Sequence, residues 1–450
     1  MREAIRKYLG ARVPRYTSYP TAPHFSPDIG AETVSGWLAD LAPGSNLSLY
    51  LHVPFCQKMC WYCGCNMRLV ARYDPVAAYV ERLIKEIHMR ADALGHRQTL
   101  THIHWGGGTP TTLSPADFQR VDAAIRERFD IAQDAEIAVE IDPRTLDQET
   151  VAALAQMGCN RASLGVQEFD PQVQLAINRV QPFDTVKQVC DWLRDAGIEA
   201  LNFDLMYGLP HQTPEMLADT VKRAADLDPA RIAVFGYAHV PWMAKNQRKI
   251  DEDALPSPET RFDMAEDAGI LLQELGYQAI GIDHFARPDD SLAIAARNGR
   301  LRRNFQGYTT DQADALIGLG ASAISALPQG YAQNVVQTND YLRAVDEGAL
   351  PVAKGLKLSA EDIWRRAVIE RLMCDFAVDL EAIALRFGLT QEDFAEDFAR
   401  LRPLEADGLA RIDGAQVHIT AEGRALARVV AAAFDVYLAG QGAVKRHATV

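Results

Sequence analysis

The sequence predicts an α/β protein: an incomplete parallel (β/α)6 barrel with an N-terminal arm and a C-terminal helical, winged-helix-like domain. Three observations carry that expectation. Six apolar, strand-like runs alternate with helical runs, and a strand that returns parallel to its predecessor needs a helical crossover. The residues with chemistry to offer fall at the carboxyl ends of those strands. After Gly355 the alternation stops, helical runs follow one another, and a hairpin signal appears. The expected domains are 1–46 for the arm, 47–354 for the barrel and its extension, and 355–450 for the C-terminal domain.

The strands are read at 47–53, 102–105, 136–141, 161–166, 200–206 and 231–235. Asp74-Pro75 opens a helix as its N-cap and first residue, and Tyr79, Leu83 and Ile87 share one face of it. Ser114-Pro115 opens another, with Asp117 placed as in a capping box. Gly158 and Gly197 stop helices. Ser359 caps a helix running to about Cys374, two more helical stretches follow, and alternation about Asp413-Gly414 marks the hairpin, before a final helix. Strand–helix alternation fits a barrel and a doubly wound sheet alike, and both put chemistry at the carboxyl ends of the strands. The cysteines follow strand one and the glycines of 106–108 follow strand two. Glu140 closes strand three, Gln167 ends strand four, and Asp204 lies late in strand five.

Composition narrows the partners. The chain has 450 residues, 48% of them hydrophobic, and a net charge of −14, which disfavours nucleic acid and anionic membrane. The most apolar stretches, 314–327 and 425–438, are too short or too interrupted to span a bilayer. Residues 1–15 are charged and carry no apolar signal segment, so a cytoplasmic protein is expected. Of seven cysteines, Cys159, Cys190 and Cys374 stand alone and read as buried fillers. Cys56, Cys60, Cys63 and Cys65 lie together, which speaks for a metal or cofactor site in a reducing compartment.

Cys56-Gln-Lys-Met-Cys60-Trp-Tyr-Cys63-Gly-Cys65 puts three thiolates on one short loop at C-x3-C-x2-C spacing, which suits one face of a cubane iron–sulfur cluster. A [4Fe–4S] cluster with three thiolates leaves one iron for the amino and carboxylate groups of S-adenosylmethionine. Electron transfer to the sulfonium then gives a 5′-deoxyadenosyl radical able to take hydrogen from unactivated carbon. That chemistry is the cofactor's; the protein positions it and excludes water and oxygen. Structural zinc is the alternative on these residues, although Cys63-x-Cys65 lacks the usual knuckle spacing. His104-Trp-Gly-Gly-Gly-Thr109-Pro-Thr111 favours the cluster. Residues without side chains after a strand let a ligand lie against the backbone and bond its carbonyls.

With both motifs in place, the chain resembles the radical S-adenosylmethionine superfamily, and within it the oxygen-independent coproporphyrinogen III oxidase family. The resemblance runs nearly end to end. It includes Arg15-Tyr-Thr-Ser-Tyr-Pro-Thr21, Cys65 after Gly64, Val139-Glu-Ile-Asp-Pro-Arg144, Gly165-Val-Gln-Glu-Phe169, Asp204-Leu-Met-Tyr-Gly-Leu-Pro210, Asp283-His-Phe-Ala-Arg-Pro-Asp289 and Asn304-Phe-Gln-Gly-Tyr-Thr-Thr310. It implies Cys56, Cys60 and Cys63 as cluster ligands. It implies Tyr50, Gly107, Glu140 and Ile324 around one S-adenosylmethionine. A second S-adenosylmethionine would be held by Tyr62, Gly108, Thr109, Gln167, Arg179, Asp204 and Ala238. Tyr62 stands where the family pattern has phenylalanine. Cys65 matches the extra cysteine of true oxidases, and with Tyr50 it is a catalytic candidate.

The implied reaction is oxidative decarboxylation of two propionates of coproporphyrinogen III to vinyl groups, giving protoporphyrinogen IX. It draws on a low-potential electron donor and an electron acceptor that the sequence does not name, and a monomer is expected. Two other readings within the superfamily are a haem-trafficking chaperone and a porphyrin-modifying radical methyltransferase. The chaperones typically lack the cysteine matching Cys65 and the arm from Tyr16 to Thr21, both present here. Arg297, Arg300, Arg302 and Arg303 form a basic run in an acidic chain: a solvated loop, or a contact for the substrate's carboxylates, with Arg303 the best single candidate.

Overall fold

Period-two alternation within each strand sets the architecture, because successive side chains point to opposite faces. The computed structural model describes residues 2–438; Met1 and residues 439–450, the end of the expected C-terminal domain, lie outside the described residues. Strands β1 (Asn46–Val53), β2 (Thr99–Gly107), β3 (Asp130–Ile141), β4 (Arg161–Gln167), β5 (Ala200–Tyr207) and β6 (Arg231–Gly236) pair in parallel, each with its successor. Helices α1 (Asp74–Leu94), α2 (Pro115–Arg128), α3 (Gln148–Gln156), α4 (Phe183–Asp195) and α5 (Pro214–Asp226) fill the crossovers, and α6 (Pro258–Glu274) follows β6. The outward strand residues Leu51, Ile103, Trp105, Val139, Leu164 and Phe203 join Tyr79, Leu83, Ile87 and Phe118 of the helices in one apolar core.

The sheet continues past both ends of this half-barrel. Beyond β6 lie the antiparallel β7 (Gln278–Ile280) and β8 (His284–Ala286). Beyond β1 lie β9 (Ala315–Leu319), parallel to it, and then antiparallel β10 (Ile324–Leu327), β11 (Gly330–Asn334) and β12 (Val352–Lys357). None of these was expected. They are short, and runs of three to six residues carry too little alternation to register.

The inward residues are polar. Near the amino ends, Arg161 bonds Glu136 at 2.9 Å and Asn202 at 2.9 Å, Arg231 bonds Asp290 at 2.7 Å, and His102 meets Asp311 at 3.3 Å. Burial alone would raise the Glu136 carboxyl, but Arg161 and Arg231 outweigh it and hold it at about 2. These pairs satisfy charge that would otherwise be costly to bury. A small hairpin, Arg302–Asn304 with Gly307–Thr309, sends Gln306 and Thr309 into the cleft lined by Ser48, His102, His104 and Glu136.

Two local expectations need correcting. Asp74 is the first residue of α1 and not its cap; Tyr73 precedes it in helical conformation, and its hydroxyl bonds Asp117 at 2.5 Å. Ser114 does cap α2, but Asp117 turns to Tyr73 and Arg120, so the reciprocal half of the box is relayed through the Tyr73 hydroxyl to the Ser114 N–H.

α7 (Ala360–Asp375) opens the C-terminal part on a complete capping box of Ser359 and Asp362. Helices Leu380–Phe387 and Ala395–Ala406 follow, and the hairpin Ala410–Asp413 with Gln416–Ile419 gains a third strand, Ala377–Asp379. The expected final helix is only Ala427–Ala431, flanked by 3-10 turns. Trp364, Leu372, Leu401, Val417 and Phe434 form a second core that also takes in Leu9, Tyr16 and Tyr19 of the arm. Tyr16 donates to Asp435 at 3.0 Å, and the Tyr19 carbonyl accepts from Tyr331 of β11 at 3.3 Å, so the arm runs between sheet edge and C-terminal helices. No helix among the described residues is long and apolar enough to cross a membrane.

α1 is tied to the carboxyl end of the barrel by a buried network. Glu86 accepts from Arg90 at 3.2 Å, Asn334 at 2.8 Å, Tyr341 at 2.8 Å and the Gly320 N–H at 2.7 Å. Tyr79 donates to the His52 carbonyl at 2.7 Å. Arg90→Met should leave the Glu86 carboxylate without its buried countercharge and cost about 3–5 kcal/mol in chemical denaturation, where a loss below about 1 kcal/mol would show that the hydrogen bonds alone suffice.

Candidate active site

The cysteine loop leaves β1 at Val53 and is bonded at once to the end of β2. Gly108 N–H donates to the Val53 carbonyl at 2.9 Å, and Thr109 N–H donates to the Phe55 carbonyl at 2.7 Å. A Cβ on Gly108 would lie 2.7 Å from the Phe55 carbonyl oxygen and 2.9 Å from its nitrogen, both backbone atoms. Glycine is therefore required for the approach. β2 itself runs on through Gly106 and Gly107, so the first two glycines belong to the strand and only Gly108 follows it. A Cβ on Gly106 would meet Glu140 at 2.7 Å, and one on Gly107 the His52 ring at 2.9 Å.

Side chains from other elements brace the far side of the loop. Asn246 Nδ2 lies 3.2 Å from the Cys60 carbonyl, 3.1 Å from that of Trp61 and 2.8 Å from that of Cys63. Gln247 donates to the Tyr62 carbonyl at 2.7 Å and the Ala238 carbonyl at 3.1 Å. Asn178 donates to the Met59 carbonyl at 2.7 Å. No sequence signal marked Asn246 or Gln247, which sit in a short 3-10 turn with no motif about them.

Each of the three spaced cysteines has a donor or hydroxyl at its sulfur. Cys56 Sγ meets the Thr109 hydroxyl at 3.4 Å, Cys60 Sγ accepts from Arg144 at 3.2 Å and Arg179 at 3.3 Å, and Cys63 Sγ accepts from the Cys65 N–H at 3.4 Å. Burial pushes the Cys56 thiol up to about 11, while hydrogen bonding from Cys65 draws Cys63 down to about 7 and Cys65 up in turn. Among the described residues no three Cys, His, Asp or Glu side chains are gathered as one metal ion would need. A cubane spreads its ligands over several irons, and a loop with three thiols, each with a hydrogen-bonding neighbour, fits it.

Glu140, at the end of β3, accepts from Gly107 N–H at 3.2 Å and pairs with His104 Nε2 at 3.1 Å, and its side chain is 40% exposed. A part-exposed carboxylate above side-chain-free backbone is a cradle suited to an ammonium group. Tyr50 stacks on His104 at 5.9 Å and bonds His52 at 3.1 Å. Gln167 takes a left-handed φ of 69° at the end of β4, a conformation a non-glycine residue adopts at a cost. Arg179 is buried; it donates to the Gly165 carbonyl and to Asp142, and its Nε has no partner among the described residues. Burial, reinforced by the charge of Glu140, raises the Asp204 carboxyl to about 7. Tyr62 packs beside Ile177 and Tyr237. Ile324 opens β10 and packs with Phe25 and Tyr331, farther along the sheet.

The basic run separates. Arg297 bonds Gln278 at 2.8 Å and Arg302 bonds Glu370 at 2.8 Å, both in exposed settings. Arg303 lies over the Tyr308 ring at 4.4 Å with Nη2 3.4 Å from the Arg15 carbonyl, while Nε and Nη1 are buried without a partner among the described residues.

The family pattern of the radical SAM superfamily matches residues 50–224, and that of the HemN C-terminal domain matches 358–426. The oxygen-independent coproporphyrinogen III oxidase of Bradyrhizobium diazoefficiens is 53% identical over 431 residues, 96% of each chain. That of Escherichia coli is 44% identical over 426 residues, 94% of this chain and 93% of its own. The solved structure of coproporphyrinogen III oxidase (HemN) from Escherichia coli, described as a radical SAM enzyme, superposes with a TM-score of 0.90 at 43% identity, covering 94% of this chain and 97% of that one.

Asp204 gives a pH test. Its folded value, about 7, lies above the ordinary 3.8, so folding is favoured when it is protonated and loses that contribution as pH rises from about 4 to about 7. Asp204→Asn should therefore raise the denaturation midpoint of the metal-free protein at pH 8, with a gain that shrinks toward pH 4. An equal gain at both ends would mean that the carboxyl is not desolvated.

Proposed function

The chain belongs to the oxygen-independent coproporphyrinogen III oxidase family of the radical S-adenosylmethionine superfamily, and we propose that it oxidatively decarboxylates two propionates of coproporphyrinogen III to vinyl groups, giving protoporphyrinogen IX. The observation that carries this reading is the three-thiol loop locked by backbone hydrogen bonds to a glycine strand end, with Glu140 beside it. When bound, a [4Fe–4S] cluster and S-adenosylmethionine supply the radical hydrogen abstraction that unactivated propionate carbon requires.

The chain's own residues do the rest. Cys56, Cys60 and Cys63 hold the cluster. Glu140 takes the ammonium group of S-adenosylmethionine, with the backbone of Gly107, Tyr50 and Ile324 as further contacts. A second S-adenosylmethionine is held by Tyr62, Gly108, Thr109, Gln167, Arg179, Asp204 and Ala238. Arg179 Nε, without a partner among the described residues, and the desolvated Asp204 support that placement, since each costs stability that a bound polar ligand would recover, and the strained Gln167 backbone stands beside them. Tyr50 and Cys65 have hydrogen to donate beside the loop, and we assign them catalytic roles. A low-potential donor and an electron acceptor come from outside the chain. The enzyme works as a cytoplasmic monomer without nucleic acid.

Arg303 is the chain's contact for a propionate: its buried Nε and Nη1, without a partner among the described residues, suit a carboxylate. In anaerobic incubation with coproporphyrinogen III, S-adenosylmethionine and a strong reductant, mass spectrometry should show stepwise loss of two carboxyl groups with 5′-deoxyadenosine. A methylated porphyrinogen, or cofactor cleavage with no decarboxylation, would contradict the reading. Arg303→Ala should raise the apparent KM for coproporphyrinogen by an amount worth roughly 1.5–3 kcal/mol, the range for a hydrogen bond to a charged group, with uncoupled 5′-deoxyadenosine formation intact. An unchanged KM would return Arg303 to a structural role.

A further inference from the structure

The three spaced cysteines are not equivalent. Cys56 meets a neutral hydroxyl and Cys63 a backbone N–H, but Cys60 accepts from two guanidinium groups, Arg144 Nη2 at 3.2 Å and Arg179 Nη1 at 3.3 Å. Both arginines are buried, with side chains 5% and 7% exposed. One carboxylate serves both. Asp142 bonds Arg144 at 2.6 Å and Arg179 at 3.4 Å, and their charges hold it at about 2 against the opposing effect of burial. Two positive charges and one negative leave a net positive charge against the Cys60 sulfur. Arg144 Nε and Nη2 both donate to the Asp142 carboxylate, at 2.9 Å and 2.6 Å, and the same Nη2, which carries two hydrogens, also reaches Cys60 Sγ.

We propose that Arg144, fixed by Asp142, is a positioning residue that donates to the Cys60 sulfur and biases the iron–sulfur cluster toward its reduced state. The inference rests on Cys60 being a cluster ligand. A reduced cluster carries one more negative charge, so an N–H···S bond and a buried cation beside a ligating sulfur both favour it. Burial keeps solvent and salt from screening the effect. Arg144 has no role among the cofactor contacts assigned above.

The test is the reduction midpoint of the anaerobically reconstituted protein, followed by the electron paramagnetic resonance of the reduced cluster. Arg144→Met removes a positive charge and a donor, and its midpoint should fall by about 59 mV, a tenfold change for a one-electron couple. Asp142→Asn leaves both guanidinium groups unneutralised, and its midpoint should rise. A loosened loop would move both variants the same way, so shifts of equal sign, or an unchanged midpoint in Arg144→Met, would overturn the proposal. If Arg144→Met does not retain iron, Arg144→Lys decides: it keeps the charge but not the planar fork. A midpoint below wild type supports the proposal, and one equal to wild type overturns it. A wild-type chain that takes up no iron would instead overturn the cluster reading itself, and this inference with it.

Discussion

Two backbone hydrogen bonds, from Gly108 to Val53 and from Thr109 to Phe55, fix the carboxyl end of β2 against the root of the cysteine loop. Each alone is a modest interaction, about 1 kcal/mol net. Their importance is geometric. They need a backbone approach that no Cβ at position 108 permits, and the atoms a Cβ would strike are main-chain atoms of Phe55, which cannot rotate aside. The cysteines therefore leave the barrel in one direction only. Thr109, held by the same bond, delivers its hydroxyl to Cys56, and the preceding Gly107 N–H reaches Glu140. Asn246 and Gln247 then close the loop from outside.

Around this stitch the barrel interior solves a second problem. Its inward positions are polar and charged, and such groups are costly to bury. Near the amino ends the charges are paired off among Glu136, Arg161, Arg231 and Asp290. Toward the carboxyl ends the pairing is incomplete among the described residues: Arg179 Nε lacks a partner, and Asp204 carries a raised carboxyl. Parallel β/α barrels carry their active sites at the carboxyl ends of the strands, the end toward which these two groups lie.

The half-barrel was legible because its strands are long enough for alternation to show, and the loop because four cysteines in ten residues have few structural uses. The division between first and second S-adenosylmethionine contacts came from family resemblance; nothing in the pattern of Tyr62, Ala238 or Ile324 announces a ligand. What stayed hidden was non-local. The edge strands are too short for periodicity. Asn246 touches the loop across a sequence separation of more than 180 residues. Arg144 was visible inside a motif, but its approach to Cys60 depends on how β3 ends beside the loop. Asp74 failed as a cap because Tyr73 already had helical backbone and a hydroxyl committed to Asp117.

The stitch is most directly tested by iron content. Gly108→Ala adds one methyl group where only backbone lies opposite. The account predicts that the variant, purified anaerobically beside wild type, keeps its circular dichroism and its Arg90–Glu86 core but loses most of its iron and acid-labile sulfide. Full iron and sulfide in folded Gly108→Ala protein would contradict it, because the loop would then hold its cysteines without the close approach.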